Sequence, residues 1–209
     1  MAQEAGLKEG EFLLQEFIEG KAVSTSVLCS QDECIFIGAT EQLIGDVTGK
    51  FRYCGNIAPA EIEEELEEIT IKIAEAFKLK GSNGIDFIVS EGPYVLEVNP
   101  RLTGAMEVIE KAYDLNLVDL HIRACLGGVR LKRSKDKFYG RKIIYAPEDL
   151  RFNVRAPSFI KDVPGFNERI KKGGPVCTVM GSGETREECY RDLMNKEKRM
   201  HEDLRQGYI

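Results

Sequence analysis

The densest cluster of residues able to do chemistry lies in residues 84–101, GIDFIVSEGPYVLEVNPR. Residues 84–89 and 94–99 have the β-branched and aromatic composition of strands, and Ser90-Glu91-Gly92-Pro93 between them has that of a hairpin loop. With a loop of those four residues Val89 faces Tyr94, and Asp86 lies directly opposite Glu97. Their carboxylates then project from one face with Cβ atoms roughly 5 Å apart, and like charges so placed normally destabilise a sheet. Asn99 points to the same face, because the strand period is two. Two carboxylates and an amide oxygen form a hard-oxygen donor set suited to Mg²⁺ or Mn²⁺, and such a cation would relieve the repulsion. Arg101 follows past Pro100, with a fixed fork of donors that suits a phosphate or carboxylate. On residue types alone, two carboxylates decorating a solvent face explain the pattern equally well.

The elements that must position these residues are legible around them. Residues 11–18 (EFLLQEFI) read as a strand turning at Glu19-Gly20 into a second strand over 23–29, with a third over 34–38: an antiparallel meander. Residues 45–58 are glycine-rich and read as an exposed loop. A helix is predicted over 59–80, where Ile62, Leu66, Ile69, Ile73 and Phe77 form an apolar stripe. Pro59 stands near its start, and Glu61, Glu63, Glu64 and Glu65 crowd its positive end as a solvated face. Two helices follow over 105–114 and 117–126, the second capped by Asn116. The charged run 130–141 marks a domain boundary. Strands over 142–145, 158–163 and 175–180 come next. A final helix opens at Thr185, which forms a T-x-x-E capping box with Glu188, and runs to about Arg205. The fold class is therefore α+β: an antiparallel sheet covered by helices over 1–129, then a smaller strand-rich unit with a C-terminal helix over 130–209.

Composition removes several classes. Hydrophobic residues make up 43% of the 209 and charged residues 31%, which excludes a disordered or collagen-like chain. With 29 basic against 35 acidic residues the net charge is −6, so the chain has no general attraction for nucleic acid. No apolar run approaches a membrane span, and the acidic N-terminus lacks a signal-peptide plan. The six cysteines (29, 34, 54, 125, 177 and 189) show no zinc-site spacing and read as reduced cytoplasmic thiols, mostly core filler. His121 and His201 read as structural or surface residues, and Ser24 and Ser26 have no His–Asp partner that would make a nucleophile.

Three runs taken together carry a family resemblance. QEFIEG at 15–20, GIDF at 84–87 and LEVNPRLTG at 96–104 occur in the order and approximate spacing of the ATP-grasp superfamily. The EVNPR run resembles the metal-binding strand of carbamoyl phosphate synthetase and is similar to those of biotin carboxylase and the D-alanine–D-alanine ligases. Residues 170–193 look like the C-terminal region of biotin-carboxylase-type enzymes, and the nearest likeness is to archaeal-type proteins described only as predicted carboligases. The resemblance implies the second lobe and C-terminal domain of an ATP-dependent ligase. Gln15, Glu16, Phe17 and Ile18 match the hinge strand that holds adenine, mainly through its backbone. Asp86, Glu97 and Asn99 match the ligands that carry Mg²⁺ onto the ATP phosphates, and Arg101 matches a residue that contacts phosphates or the acyl substrate. The implied reaction phosphorylates a small carboxylate with ATP, and an amine or other nucleophile then attacks the acyl phosphate.

The departures from the family pattern are specific. An acidic ribose-binding residue of several relatives is Ala22 here. The position of the glutamate that serves biotin carboxylase as bicarbonate base is Ala105 here, which argues against bicarbonate as the substrate; Glu107, two places on, is the one acidic residue near enough to take that part. The first lobe, with its phosphate-binding lysines and glycine-rich flap, has no counterpart before residue 11, and 45–55 reads as an ordinary loop rather than a substitute. The expectation is therefore a chain inactive alone, completed by a partner chain or a homo-oligomer. The alternative is a non-catalytic nucleotide-binding or regulatory module.

Overall fold

The computed structural model describes residues 14–46, 49–132, 134 and 137–206, apart from the side chains of residues 46 and 50. Three strands open it: β1 (Lys21–Cys29), β2 (Cys34–Asp46) and β3 (Gly49–Ala58). After α1 (Glu63–Ala76) come the hairpin β4 (Gly81–Val89) and β5 (Pro93–Asn99), then α2 (Met106–Tyr113) and α3 (Leu117–Cys125). The remainder is β6 (Phe138–Tyr145), three two-residue strands β7 (Leu150–Arg151), β8 (Ile160–Lys161) and β9 (Arg169–Ile170), β10 (Pro175–Gly183), and α4 (Arg186–Gln206). Eight strands form one antiparallel sheet in the order β5-β4-β1-β2-β3-β6-β10-β8, and β7 pairs with β9 apart from it. The α+β class holds.

Strand alternation assigns the two faces. Val23, Ile85 and Phe87 point to α1 and bury its Leu66, with Ile62, Ile69 and Ile73 packed around them. Ser24 and Asp86, paired across β1 and β4, take the other face. That face is shared with α2 and α3, whose Val108, Ile109, Tyr113 and Leu117 pack with Leu28 and Ile37. The third core forms where α4 buries Cys189, Leu193 and Met200 against Ile57, Ile144 and Val179.

Several expectations are corrected. The stretch expected as a loop over 45–58 is largely strand β3, the bridge between the two halves of the sheet. Gly55 makes this possible: its φ is +146°, and a Cβ there would run into the carbonyl oxygen of Arg141 on β6. Because β6 bonds to β3, the sheet runs without a break across the expected boundary near residue 130. The helix expected over 59–80 is shorter. Ala60 donates its N–H to the carbonyl of Ala39, and the Glu63 carboxylate accepts from the Ala39 N–H at 3.0 Å, which ties the chain to β2 before α1 begins. Its far end stops at Phe77, and Lys78 has a φ of +52°. Phe77, expected in the apolar stripe, is exposed. Residues 14–18 of the expected first strand have no regular secondary structure, and 11–13 lie outside the described residues. Cys29 and Cys34 face each other as the last pair of β1 and β2 and form a disulfide, so the expectation of six reduced thiols fails there. Cys54, Cys177 and Cys189 are buried thiols, and burial pushes Cys177 and Cys189 up to about 12. The Asn116 cap is in place, its side chain accepting from the Asp119 N–H at 2.9 Å.

Candidate functional site

Asp86 and Glu97 are direct partners across β4 and β5. The route to that pairing differs from expectation. Val89 pairs with Pro93 rather than Tyr94, so the turn is one residue shorter. Leu96 is an extra residue on β5, and this bulge restores the register before Glu97. Without it Asp86 would face Leu96, and the two carboxylates would lie on opposite faces.

Asn99 joins the pair, its Nδ2 donating to Asp86 Oδ2 at 3.2 Å and to Glu97 Oε1 at 3.0 Å. Arg101 Nη2 donates to the Asn99 Oδ1 at 3.2 Å. The other side of Asp86 is fixed by Ser24 Oγ at 2.5 Å and Gln42 Nε2 at 3.1 Å, both donating to Oδ1. Burial raises the Asp86 carboxyl above its usual range, with Glu97 adding to the shift and the Ser24 hydroxyl opposing it. Glu97 sits at the exposed sheet edge, and its pKa is lowered by the Asn99 and Asp86 hydrogen bonds and by the Arg101 charge. The environments of the two facing acids thus push their pKa values apart.

The donor set fits a divalent cation by its chemistry. The Asn99 amide bridges both carboxylates, where a positive charge is most favoured. Turning that amide over would present a third oxygen and release Arg101 for an anion. Among the described residues no three His, Cys, Asp or Glu side chains cluster as a metal cage elsewhere.

The four residues line one cavity of about 260 Å³ that reaches across the sheet. Its other wall was missed by sequence reasoning: Tyr53 and Asn56 of β3, and Thr103 and Gly104 of the turn before α2. Tyr53 donates to Asn56 Oδ1, and Asn56 Nδ2 donates to Thr40 Oγ1 at 2.9 Å. Burial lifts the Tyr53 phenol to about 12, against the lowering effect of Arg141. The recoverable signal was the polar periodicity of Ser24 and Ser26, then Thr40 and Gln42. The glycines of β3 hid the rest.

Other expected site residues lie apart. Gln15, Glu16 and Phe17 are exposed and Ile18 is half-buried, in the segment leading into β1; the Phe17 ring meets Phe51 edge-on at 6.1 Å. Ala105 is buried, and Glu107 is paired with Lys161. His121 is structural, its Nδ1 accepting from the Ser82 N–H at 2.9 Å. A larger hollow of about 530 Å³ lies between β2 and the start of α4, and two of the three cations that line it, beside Lys21, are already paired. Arg186 is paired with Glu41 there, and Lys142 with Glu197.

An ATP-grasp domain model matches residues 2–105, a span that contains both residues 15–18 and the hairpin. The chain belongs to the ATP-grasp superfamily. It is 34% identical over 171 residues to an uncharacterised protein of Methanocaldococcus jannaschii, covering 80% of this chain and 42% of the relative. The chain therefore spans less than half the length of that relative. Its fold is similar to biotin carboxylase from Campylobacter jejuni, solved with a β,γ-ATP complex, with a TM-score of 0.68 at 14% identity over 93% of this chain and 47% of that one. The L-amino acid ligase of Bacillus licheniformis has a TM-score of 0.68 at 17% identity, over 90% of this chain and 54% of that one. No helix among the described residues is long and apolar enough to cross a membrane.

Proposed function

We propose that this chain is the nucleotide-holding part of an ATP-grasp ligase that activates a small carboxylate as its acyl phosphate. Support comes first from the bulged hairpin, which places Asp86 opposite Glu97 with Asn99 beside both. A fold could avoid such a like-charge pair at an exposed sheet edge at no cost. Its retention makes sense if Asp86, Glu97 and Asn99 hold Mg²⁺ or Mn²⁺ on the nucleotide. When bound, that cation supplies charge stabilisation to the phosphoryl group in transfer. Ser24 and Gln42 fix the Asp86 carboxylate from behind, so it enters the site preoriented. Arg101, now turned to Asn99, binds the phosphoryl or acyl oxygen, and residues 15–18 hold the adenine by their backbone.

The site opens on one side, and the proposed complement is a first lobe that covers the phosphates. Alone, the phosphates would face water, where a fixed cation is worth far less than in a closed site. Thermal unfolding with Mg²⁺ and ADP tests the reading: the midpoint should rise for the wild type and stay unmoved in Asp86→Ala/Glu97→Ala. A non-catalytic nucleotide-binding module would pass this test yet release no phosphate with any partner or carboxylate.

A further inference from the structure

A cavity of about 790 Å³ lies between the second half of α4 and the segment that follows β7, where the ligase reading has no task for it. Its floor is fixed. Phe152 and Val154 are buried in the third core, which pins the backbone on both sides of Asn153. Phe152 also donates its N–H to the Glu168 carbonyl at 3.0 Å and accepts from the Asn167 N–H at 2.8 Å. Glu168 in turn closes a turn over residues 165–168. Its N–H donates to the Gly165 carbonyl at 3.0 Å, and its carboxylate accepts from the Gly165 N–H at 2.8 Å. Phe166 rides on that turn at the cavity wall and is 83% exposed. An aromatic ring held in water by a locked backbone is preorganised for a flat apolar partner.

The polar groups of the lining have one dominant sign. Arg155 comes from the floor and Arg199 from α4. The Arg199 guanidinium lies over the Phe159 ring at 5.3 Å, a cation–π contact that holds its position. Among the described residues neither arginine forms an ion pair. Asp203, one turn beyond Arg199, is the acid of the lining, so two positive charges stand against one negative. Asn153 Oδ1 is sealed from solvent and has no donor. The Asn153 amide can therefore offer the cavity only its Nδ2, a further donor.

We infer that this cavity binds an aromatic monocarboxylate, with its ring against Phe166 and Pro157 and its carboxylate between Arg155 and Arg199. A neutral ring would leave both guanidinium forks without an acceptor, and these forks match a carboxylate in shape. A dianion such as a phosphate monoester would bring a second negative charge beside Asp203, with no third cation to offset it. A cationic ligand would face the two arginines. The volume is ample for a ring with a short acidic arm. This inference does not rest on the ligase reading.

Amide NMR on the full chain tests it with four probes. Phenylacetate carries both ring and carboxylate, 2-phenylethanol the ring alone, acetate the carboxylate alone, and phenyl phosphate the ring with a dianion. At about pH 7.5 phenylacetate should give saturable shifts at Val154, Phe166 and Asn167. Phenylethanol and acetate should each bind at least about fivefold more weakly, the worth of one hydrogen bond. Phenyl phosphate should bind no more tightly than phenylacetate. Arg199→Gln and Phe166→Ala, both at exposed side chains, should each weaken phenylacetate by a similar factor. No saturable phenylacetate shifts, equal affinity for phenylethanol or acetate, tighter binding of phenyl phosphate, or unchanged affinity in either variant would overturn the assignment. The comparison of probes on the wild type stands even if a variant does not fold.

Discussion

Replacing Glu97 with Gln should make the ligand-free protein more stable, although it removes a proposed ligand. Gln keeps the shape, its Oε1 can still accept from Asn99 Nδ2, and its amide can donate to Asp86 where a charge once opposed it. Like charges directly opposite in a sheet cost roughly 0.2–1 kcal/mol. Glu97 is largely exposed, so solvent screening holds the gain to the lower half of that range. For a chain of about this length 1 kcal/mol moves the unfolding midpoint by roughly 2–4 °C, so a rise of about 1–2 °C is expected. The pH dependence carries the sharper signature. Asp86 has a raised pKa in the folded state, so its contribution is present at low pH and is lost as pH rises through that folded value. Removing the Glu97 charge lets the Asp86 pKa fall, which shrinks the loss. Glu97 itself has a lowered pKa in the folded state, a contribution present at neutral pH that Gln forgoes, so the advantage is the excess of the Asp86 relief over it. That advantage should be present at neutral pH and vanish in acid, below the folded pKa of Glu97, where both acids of the wild type are protonated. Calorimetric melts of both proteins across that pH range decide it. A variant less stable at neutral pH, or a gain of equal size in acid, would refute the repulsion on which this reasoning rests.

Gly55→Ala should cost about 2–5 kcal/mol, combining an unfavourable backbone angle with a collision against β6; denaturant unfolding that shows less than this would mean the two strands can part cheaply. Asn116→Ala should remove the cap of α3 and cost about 1 kcal/mol, read from the same unfolding curves. Glu16→Ala should leave nucleotide affinity essentially unchanged if the backbone of residues 15–18 holds the adenine, as a titration with labelled ADP would show.

The hairpin was legible because composition alone marks its strands, yet the turn was misjudged by one residue. The pairing of Asp86 with Glu97 came out right because the Leu96 bulge adds back the residue that the shorter turn removes. No local propensity announces such a bulge. The Asn116 cap and the core of α1 followed from hydrophobic period and cap chemistry, which are local. The start of α1 did not, because it is set by bonds from Ala60 and Glu63 to Ala39, more than twenty residues away. β3 was hidden for a related reason. Its glycines imitate a loop, and only the close approach of Arg141 explains Gly55. With β3 unseen, Tyr53 and Asn56 could not be placed in the cavity, so half of the candidate site was out of reach.

The central claim is that Asp86, Glu97 and Asn99 gather a divalent cation on one hairpin. Mn²⁺ titration in the presence of ADP, followed through paramagnetic broadening of backbone amide signals, tests it most directly. Broadening should be saturable, centred on residues 84–87 and 96–101, and absent from the Asp86→Ala/Glu97→Ala protein. Broadening centred instead on the acidic first turn of α1, or unchanged in the double variant, would contradict it.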